Sequence, residues 1–254
     1  MSGLKERAGR LRELHHTGEP LLLLNVWDAG SARVVADAGY PAIATASAAI
    51  SRMLGYADGE GAPPDEMLAA AARVARAVDV PVTVDAEAGY GLPADDLVDR
   101  LLAAGAVGCN IEDTDHAAAT LTSADAQADR IAAIRAAASA AGVDLVINAR
   151  ADTFAHDVAD PVAEAITRAR AYLAAGADCV YPILARDPAQ ISRITQAIAA
   201  PVNALCFPQG PTLESLIQAG ATRISFGPNP YKGALTALTT MTTQILTHTD
   251  PYPR

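Results

Sequence analysis

Short apolar runs alternate with longer amphipathic stretches along this chain. The runs near 21–26, 42–46, 81–86, 107–112, 144–150, 178–183, 201–206 and 222–226 are rich in Val, Ile, Leu and Ala and predict eight β-strands. Between them, Asp65 to Val78, Ala94 to Ala104, Ser123 to Ala141 and Pro161 to Ala175 carry helical periodicity. The helix-to-strand passages share one logic. Ala38-Gly39, Ala104-Gly105, Ala141-Gly142, Ala175-Gly176 and Ala219-Gly220 each place a Gly where a helix closes, because Gly takes the left-handed position past the C-cap without a Cβ penalty. Pro81 and Pro201 open two other strands, where no ladder N–H is needed. Strict β/α alternation predicts a parallel sheet with right-handed crossovers. Eight units favour a single (β/α)₈ barrel of TIM type over 1–254, with 1–19 as an N-terminal helical leader. No Gly-x-Gly-x-x-Gly follows the first strand, which weakens the dinucleotide-binding alternative.

The runs end on charged or amide side chains: Val82-Thr83-Val84-Asp85-Ala86-Glu87, Asn110-Ile111-Glu112-Asp113 and Ile147-Asn148-Ala149-Arg150-Ala151-Asp152. A strand alternates faces, so Asp85 and Glu87 are expected to point the same way, as are Asn110 with Glu112, and Asn148 with Arg150 and Asp152. Charges converging at the carboxyl ends of parallel strands mark a barrel active site.

Composition narrows the chemistry. The net charge of −10 leaves no basic stripe to neutralise phosphates, which argues against a nucleic-acid partner. Leu21 to Leu24 is too short to span a bilayer, and Met1 to Arg7 lacks the apolar core of a signal peptide. Cys109, Cys179 and Cys206 are odd in number and widely spaced, as expected of free thiols in the cytoplasm. A Schiff-base lysine is not expected, since only Lys5 and Lys232 are present and neither lies on an inner strand. Of five histidines only His116 and His156 fall in loops at the catalytic face, too few for a nitrogen-rich zinc site. Asp85, Glu87 and Glu112 suit a hard cation, Mg²⁺ or Mn²⁺, which prefers oxygen ligands. The alternative is a buried ionic network with Arg150. Three acids against one inward-facing Arg leave an excess of negative charge for a cation to neutralise.

Asp85-Ala86-Glu87-Ala88-Gly89-Tyr90-Gly91, then Asn110-Ile111-Glu112-Asp113 and Asn148-Ala149-Arg150-Ala151-Asp152, resemble the isocitrate lyase/phosphoenolpyruvate mutase superfamily. Gly55-Tyr56-Ala57-Asp58-Gly59, Pro201-Val202-Asn203 and Arg223-Ile224-Ser225-Phe226-Gly227 extend the resemblance over nearly the whole chain. It implies a barrel enzyme using Mg²⁺ on 2-oxo-acid or enolate substrates. It also implies Asp85 as the direct Mg²⁺ ligand, with Asp58, Glu87 and Glu112 holding the ion through waters. Arg150 would grip the substrate carboxylate. Thr45, Ala46 and Ser47 would receive the oxo-acid end, Trp27 would be a pocket wall, and Asn203 would contact substrate. For Trp27 the alternative is core packing, and for Asn203 a structural hydrogen bond.

The departures bear on the reaction. The lyases of this superfamily carry a lid motif whose cysteine acts as general acid/base. The corresponding Asp113 to Thr122 stretch here has neither cysteine nor lysine, leaving His116, together with acidic Asp115, as the group suited to proton transfer, with a solvated loop histidine as the alternative. Arg150, His116 and Glu112 are the expected catalytic residues. The mutase lid, with its lysine and asparagine, is also unmatched. The expected activity is therefore a Mg²⁺-dependent lyase on a small 2-oxo or 2-hydroxy dicarboxylate, through C–C cleavage or decarboxylation of an oxaloacetate-like substrate. Hydrolysis or rearrangement at a C–C or P–C bond is the second enzyme reading. A non-catalytic oxo-acid binder is the reading from another class. Tyr231 to Leu246 would complete the outer ring of helices, and the resemblance implies that this region is exchanged between subunits of a homodimer or homotetramer.

Overall fold

The computed structural model describes residues 2–252. A helix, α1 (Ser2–Leu14), leads into two strand segments, β1 (Leu21–Leu23) and β2 (Asn25–Val26). The chain then alternates helix and strand: α2 (Ala29–Asp37), β3 (Ile43–Thr45), α3 (Ser47–Leu54), α4 (Pro64–Arg76), β4 (Val82–Asp85), α5 (Ala94–Ala103) and β5 (Gly108–Ile111). A small hairpin, β6 (Thr114–Asp115) and β7 (Thr120–Leu121), precedes α6 (Ala124–Ala140), β8 (Val146–Arg150), α7 (Pro161–Ala174) and β9 (Cys179–Tyr181). The last elements are α8 (Pro188–Ala197), β10 (Asn203–Leu205), α9 (Leu213–Gln218), β11 (Arg223–Ser225) and α10 (Asn229–Leu246).

The fold is α/β with parallel sheets. One sheet runs β2-β3-β4-β5-β8-β9 and the other β1-β11-β10, every neighbouring pair parallel. An isolated parallel bridge, Val180 to Val202, joins β9 to the strand entering β10. All eight expected strand runs are present, the first divided at Leu24. The repeated glycines behave as expected: Gly39, Gly105, Gly142, Gly176 and Gly220 have φ between 73° and 105°, each directly after a helix closed by Ala.

The core is aliphatic, with Val82, Val84, Ile111, Val146 and Ile147 on strands facing Leu97, Leu101, Ile131 and Ile134 on helices. Helix α1 belongs to it through Ala8 and Leu11, both fully buried. Gly108 permits this approach, since a Cβ there would lie 2.8 Å from Leu11 Cδ2. Helix α10 departs from the expectation that it completes the outer ring. None of its residues is buried, and Leu235, Leu238, Ile245 and Leu246 are exposed. Its first turn makes an edge contact between Tyr231 and Trp27, with ring centroids 5.3 Å apart.

Candidate active site

A cavity of about 250 Å³ opens at the carboxyl ends of the strands. The structure brings Ala46, Ser47, Asp58, Asp85, Glu87, Glu112, His116 and Arg150 together around it. Asn25, Asn110, Tyr181 and Ser225 complete the polar part of the wall.

Asp85 ends β4 and is held at the N-terminus of α3. Ser47 donates to its Oδ2 from the backbone N–H (3.0 Å) and from the hydroxyl (2.7 Å), while Asn110 Nδ2 donates to Oδ1 at 3.3 Å. The expectation that Ser47 presents these donors to an oxo-acid is therefore modified, because Asp85 occupies both. Thr45 is fully buried and lies off the cavity wall. Its hydroxyl accepts from Asp85 N–H and its carbonyl from Asn25 Nδ2, so it shapes the site from behind.

Glu87 reaches the cavity by a route that strand alternation does not describe. Strand β4 stops at Asp85, and Glu87 adopts φ 49° in a turn that also holds Tyr90 at φ 57°. Left-handed non-glycine residues are costly and cluster where a site over-determines them. Glu87 is 1% exposed. Its Oε1 accepts from Glu60 N–H at 2.6 Å, and its Oε2 has no partner. Burial pushes its carboxyl up to about 7, helped by the charges of Asp85, Glu112 and Asp58 and opposed by the Glu60 hydrogen bond.

Arg150 ends β8 and is enclosed by acids. Asp152 takes Nε at 2.8 Å and Nη2 at 2.9 Å, and Glu112 accepts from Nη1. Burial opposes the guanidinium charge, but Asp152, Glu112 and Asp85 outweigh it and raise the pKa. Asp152 itself lies past the strand in a 3₁₀ turn, where it grips the Arg150 side chain and, like Asn148, stays off the cavity wall. Glu112 also binds the lid: its Oε2 lies 3.0 Å from His116 Nε2. Burial raises Glu112 against the pull of Arg150 and His116. The hydrogen bond to Glu112 raises His116 against desolvation. The pair is built to hold a proton between a carboxylate and an imidazole. His116 is positioned by the β6–β7 hairpin, in which Asp115 Oδ1 accepts from Ala117 and Ala118 N–H, and its ring lies over Gly59.

Trp27 and Asn203 stand apart from the cavity wall. Strand β2 stops at Val26, so Trp27 escapes the alternation that puts Asn25 inward and instead packs beside Ile50, Met67 and Tyr231. Asn203 is fully buried below the cavity floor and donates to Ser225 Oγ at 3.2 Å. Sequence reasoning also missed the role of Arg223, an arginine buried in the interior, although its two-residue spacing from Ser225 on β11 was the available signal.

Among the described residues no group of three or more His, Cys, Asp or Glu encloses an ion unaided. The donor set nevertheless fits a hard cation that keeps several waters: four carboxylates face one cavity, and a buried oxygen of Glu87 lacks any partner.

A phosphoenolpyruvate phosphomutase family model matches residues 11–246. An uncharacterized protein of Mycobacterium tuberculosis (strain ATCC 25618 / H37Rv) is 36% identical over 225 residues, covering 89% of this chain and 84% of the relative. An oxaloacetate decarboxylase of Rhodopseudomonas palustris (strain ATCC BAA-98 / CGA009) is 33% identical, covering 78% and 70%. The crystal structure of a candidate phosphonomutase from Burkholderia cenocepacia J2315 superposes with a TM-score of 0.88 at 45% identity, covering 94% of this chain and all of that one.

Proposed function

This chain belongs to the phosphoenolpyruvate phosphomutase family, within the isocitrate lyase/phosphoenolpyruvate mutase superfamily, and from that premise we propose a Mg²⁺-dependent lyase acting on a small 2-oxo or 2-hydroxy dicarboxylate of the oxaloacetate kind. The observation that carries this reading is one small cavity with a charged guanidinium on one side and a crowd of carboxylates, one oxygen of them unpartnered, on the other. We take the two parallel sheets, joined by the Val180–Val202 bridge, as one closed eight-stranded barrel whose carboxyl-end loops form the site.

Asp85 would hold the cation directly, with Asp58, Glu87 and Glu112 holding it through water; Mn²⁺ would serve the same donors. When bound, the ion polarises the oxo group and stabilises the negative charge left by bond scission. Arg150 orients the substrate. Of its five N–H bonds three are taken by Asp152 and Glu112, leaving two for a substrate carboxylate. Ser47 keeps the Asp85 carboxylate in one orientation so that little is reorganised during the reaction. His116, held by Glu112, is placed to deliver a proton to the enolate carbon after CO₂ or a larger fragment departs. Oxaloacetate decarboxylation demands no strong base, which suits a lid without a thiol.

Cleavage or rearrangement at a P–C bond is the second reading, favoured by the 45% identity to the candidate phosphonomutase. The test is a substrate panel with Mg²⁺: oxaloacetate, 2-hydroxy dicarboxylates, methylisocitrate and phosphonopyruvate, followed by product NMR. Pyruvate formation from oxaloacetate above the enzyme-free rate supports the lyase. Turnover of phosphonopyruvate alone would replace it with the second reading, and saturable binding without turnover would make the protein an oxo-acid binder.

The exposed apolar side chains of α10 support a homodimer or homotetramer in which a second copy covers or exchanges this helix. A monomer mass by light scattering at micromolar concentration would contradict this. No helix among the described residues is long and apolar enough to cross a membrane. We place the enzyme in the cytoplasm, where its three free cysteines would stay reduced.

A further inference from the structure

The buried arginine of β11 lacks the carboxylate partners that hold two other interior arginines. Arg150 is paired with Asp152 and Glu112, and Arg168 with Asp113 and Glu164. Arg223, on β11, is 1% exposed and forms no ion pair among the described residues. Its Nη2 donates to Asn110 Oδ1 at 3.2 Å, its Nη1 lies 3.5 Å from His15 Nε2, and its Nε has no partner. A guanidinium buried without an anion is costly unless other groups compensate it.

Arg223 meets the active site through one amide. Asn110 Oδ1 accepts from both Asn148 Nδ2 (2.8 Å) and Arg223 Nη2, which turns Asn110 Nδ2 toward Asp85 Oδ1. The Asn110–Asn148 bond alone does not fix this direction. Asn148 Oδ1 has no partner, so reversing both amides would preserve a bond between them. Arg223 breaks the tie, because a guanidinium only donates and can face only the oxygen of Asn110. The reversed pair would set an amide oxygen against the Asp85 carboxylate and an NH₂ against a cation.

We propose that Arg223 is a positioning residue for Asp85, acting through the locked amide of Asn110 and thereby on the proposed cation site. The geometric part stands on these hydrogen bonds; the consequence for cation affinity rests on the reading of Asp85 as the ligand.

Arg223→Met, Asn110→Ala and the double variant separate the two parts. In cation-free protein at one fixed pH, the ¹³C carboxyl resonance of Asp85, assigned with Asp85→Asn, should move in the same direction in both single variants and no further in the double. Mn²⁺ affinity, read by electron paramagnetic resonance, should fall roughly 10- to 100-fold in each single variant and not multiply in the double. Ser47→Ala, which acts on Asp85 independently, should multiply with Arg223→Met. An Asp85 resonance unmoved in Arg223→Met, or effects of Arg223 and Asn110 that multiply, would overturn the proposal. Should Arg223→Met fail to fold, Arg223→Lys takes its place: no added effect in the Asn110→Ala background supports the relay, and an added one refutes it. Wild-type protein without Mn²⁺ binding would refute the cation reading, while the Asp85 resonance would still decide the positioning role.

Discussion

The two ends of the strands are built to opposite standards. At the amino ends, the charge of Asp178 is fully paired and the turns are relaxed, with Arg223 at the start of β11 the interior exception. Asp178 accepts from Arg12 Nε at 2.9 Å, Arg135 Nη2 at 2.5 Å and Ile147 N–H at 2.8 Å, tying α1, α6 and β8 together. The left-handed positions there are glycines. At the carboxyl ends, Glu87, Tyr90 and Leu184 take left-handed conformations without being glycine, and Glu87 Oε2 is buried with nothing to bind. One end optimises stability, while the other holds strain and unspent charge where a ligand would use them.

Exchanging the effects of the two ends would break this comparison. The largest effect is expected at Arg150. Arg150→Met removes the substrate anchor and leaves Glu112 and Asp152 uncompensated, so kcat/KM should fall by at least about 10³-fold. Steady-state kinetics on the soluble variant check this, and a loss under tenfold would contradict it. His116→Asn should lower kcat by on the order of 10²–10⁴ with little change in KM, if it is the proton donor. A merely solvated loop histidine would leave kcat intact.

At the other end, Asp178→Ala should destabilise the fold by about 3 kcal/mol in urea denaturation, since two arginines lose their shared partner. The folded fraction should retain wild-type kcat.

Acidity should act on the two ends in opposite directions. Glu87 titrates near 7 folded against 4.5 unfolded, so the stability it contributes is full below about 4.5 and is lost as pH rises through 7. His15, buried beneath the strands beside Arg223, titrates near 4 against 6.5 because of desolvation and the arginine's charge. Its contribution is present above 6.5 and is lost as pH falls through 4. Each effect amounts to at most roughly 3 kcal/mol. Cation-free Glu87→Gln should therefore gain stability over wild type at pH 8 but not at pH 4, and His15→Asn should flatten the acid side. Unchanged pH–stability curves would contradict both assignments. The smallest effect belongs to Cys206→Ser, which should keep full activity because Cys206 lies off the cavity wall and burial raises its thiol. An inactive variant would restore a thiol mechanism.

What could be read from the chain follows this same division. Helix ends and strand entries are governed by local rules, so the Ala-Gly closures and the eight strand runs were legible. Alternation along a strand also located Asp85, Asn110 and Arg150 correctly on one face. Past the strand ends its guidance was uneven: Glu112 and Glu87 still face the cavity, Glu87 through a left-handed backbone, whereas Asp152 sits in a 3₁₀ turn off the wall and Trp27 leaves the face of Asn25. The lid histidine's hold on Glu112, the enclosure of Arg150 and the tie broken by Arg223 are tertiary contacts between distant segments. No local pattern encodes them.

The most direct measurement is oxaloacetate decarboxylation by wild type and Asp85→Ala, each with Mg²⁺ and with chelator, alongside thermal unfolding of both. Asp85→Ala relieves crowding among acids, so it should unfold at or above the wild-type temperature. Pyruvate should form above the enzyme-free rate only with wild type and Mg²⁺. Wild-type turnover that survives chelation, or an Asp85→Ala enzyme as active as wild type, would contradict the account.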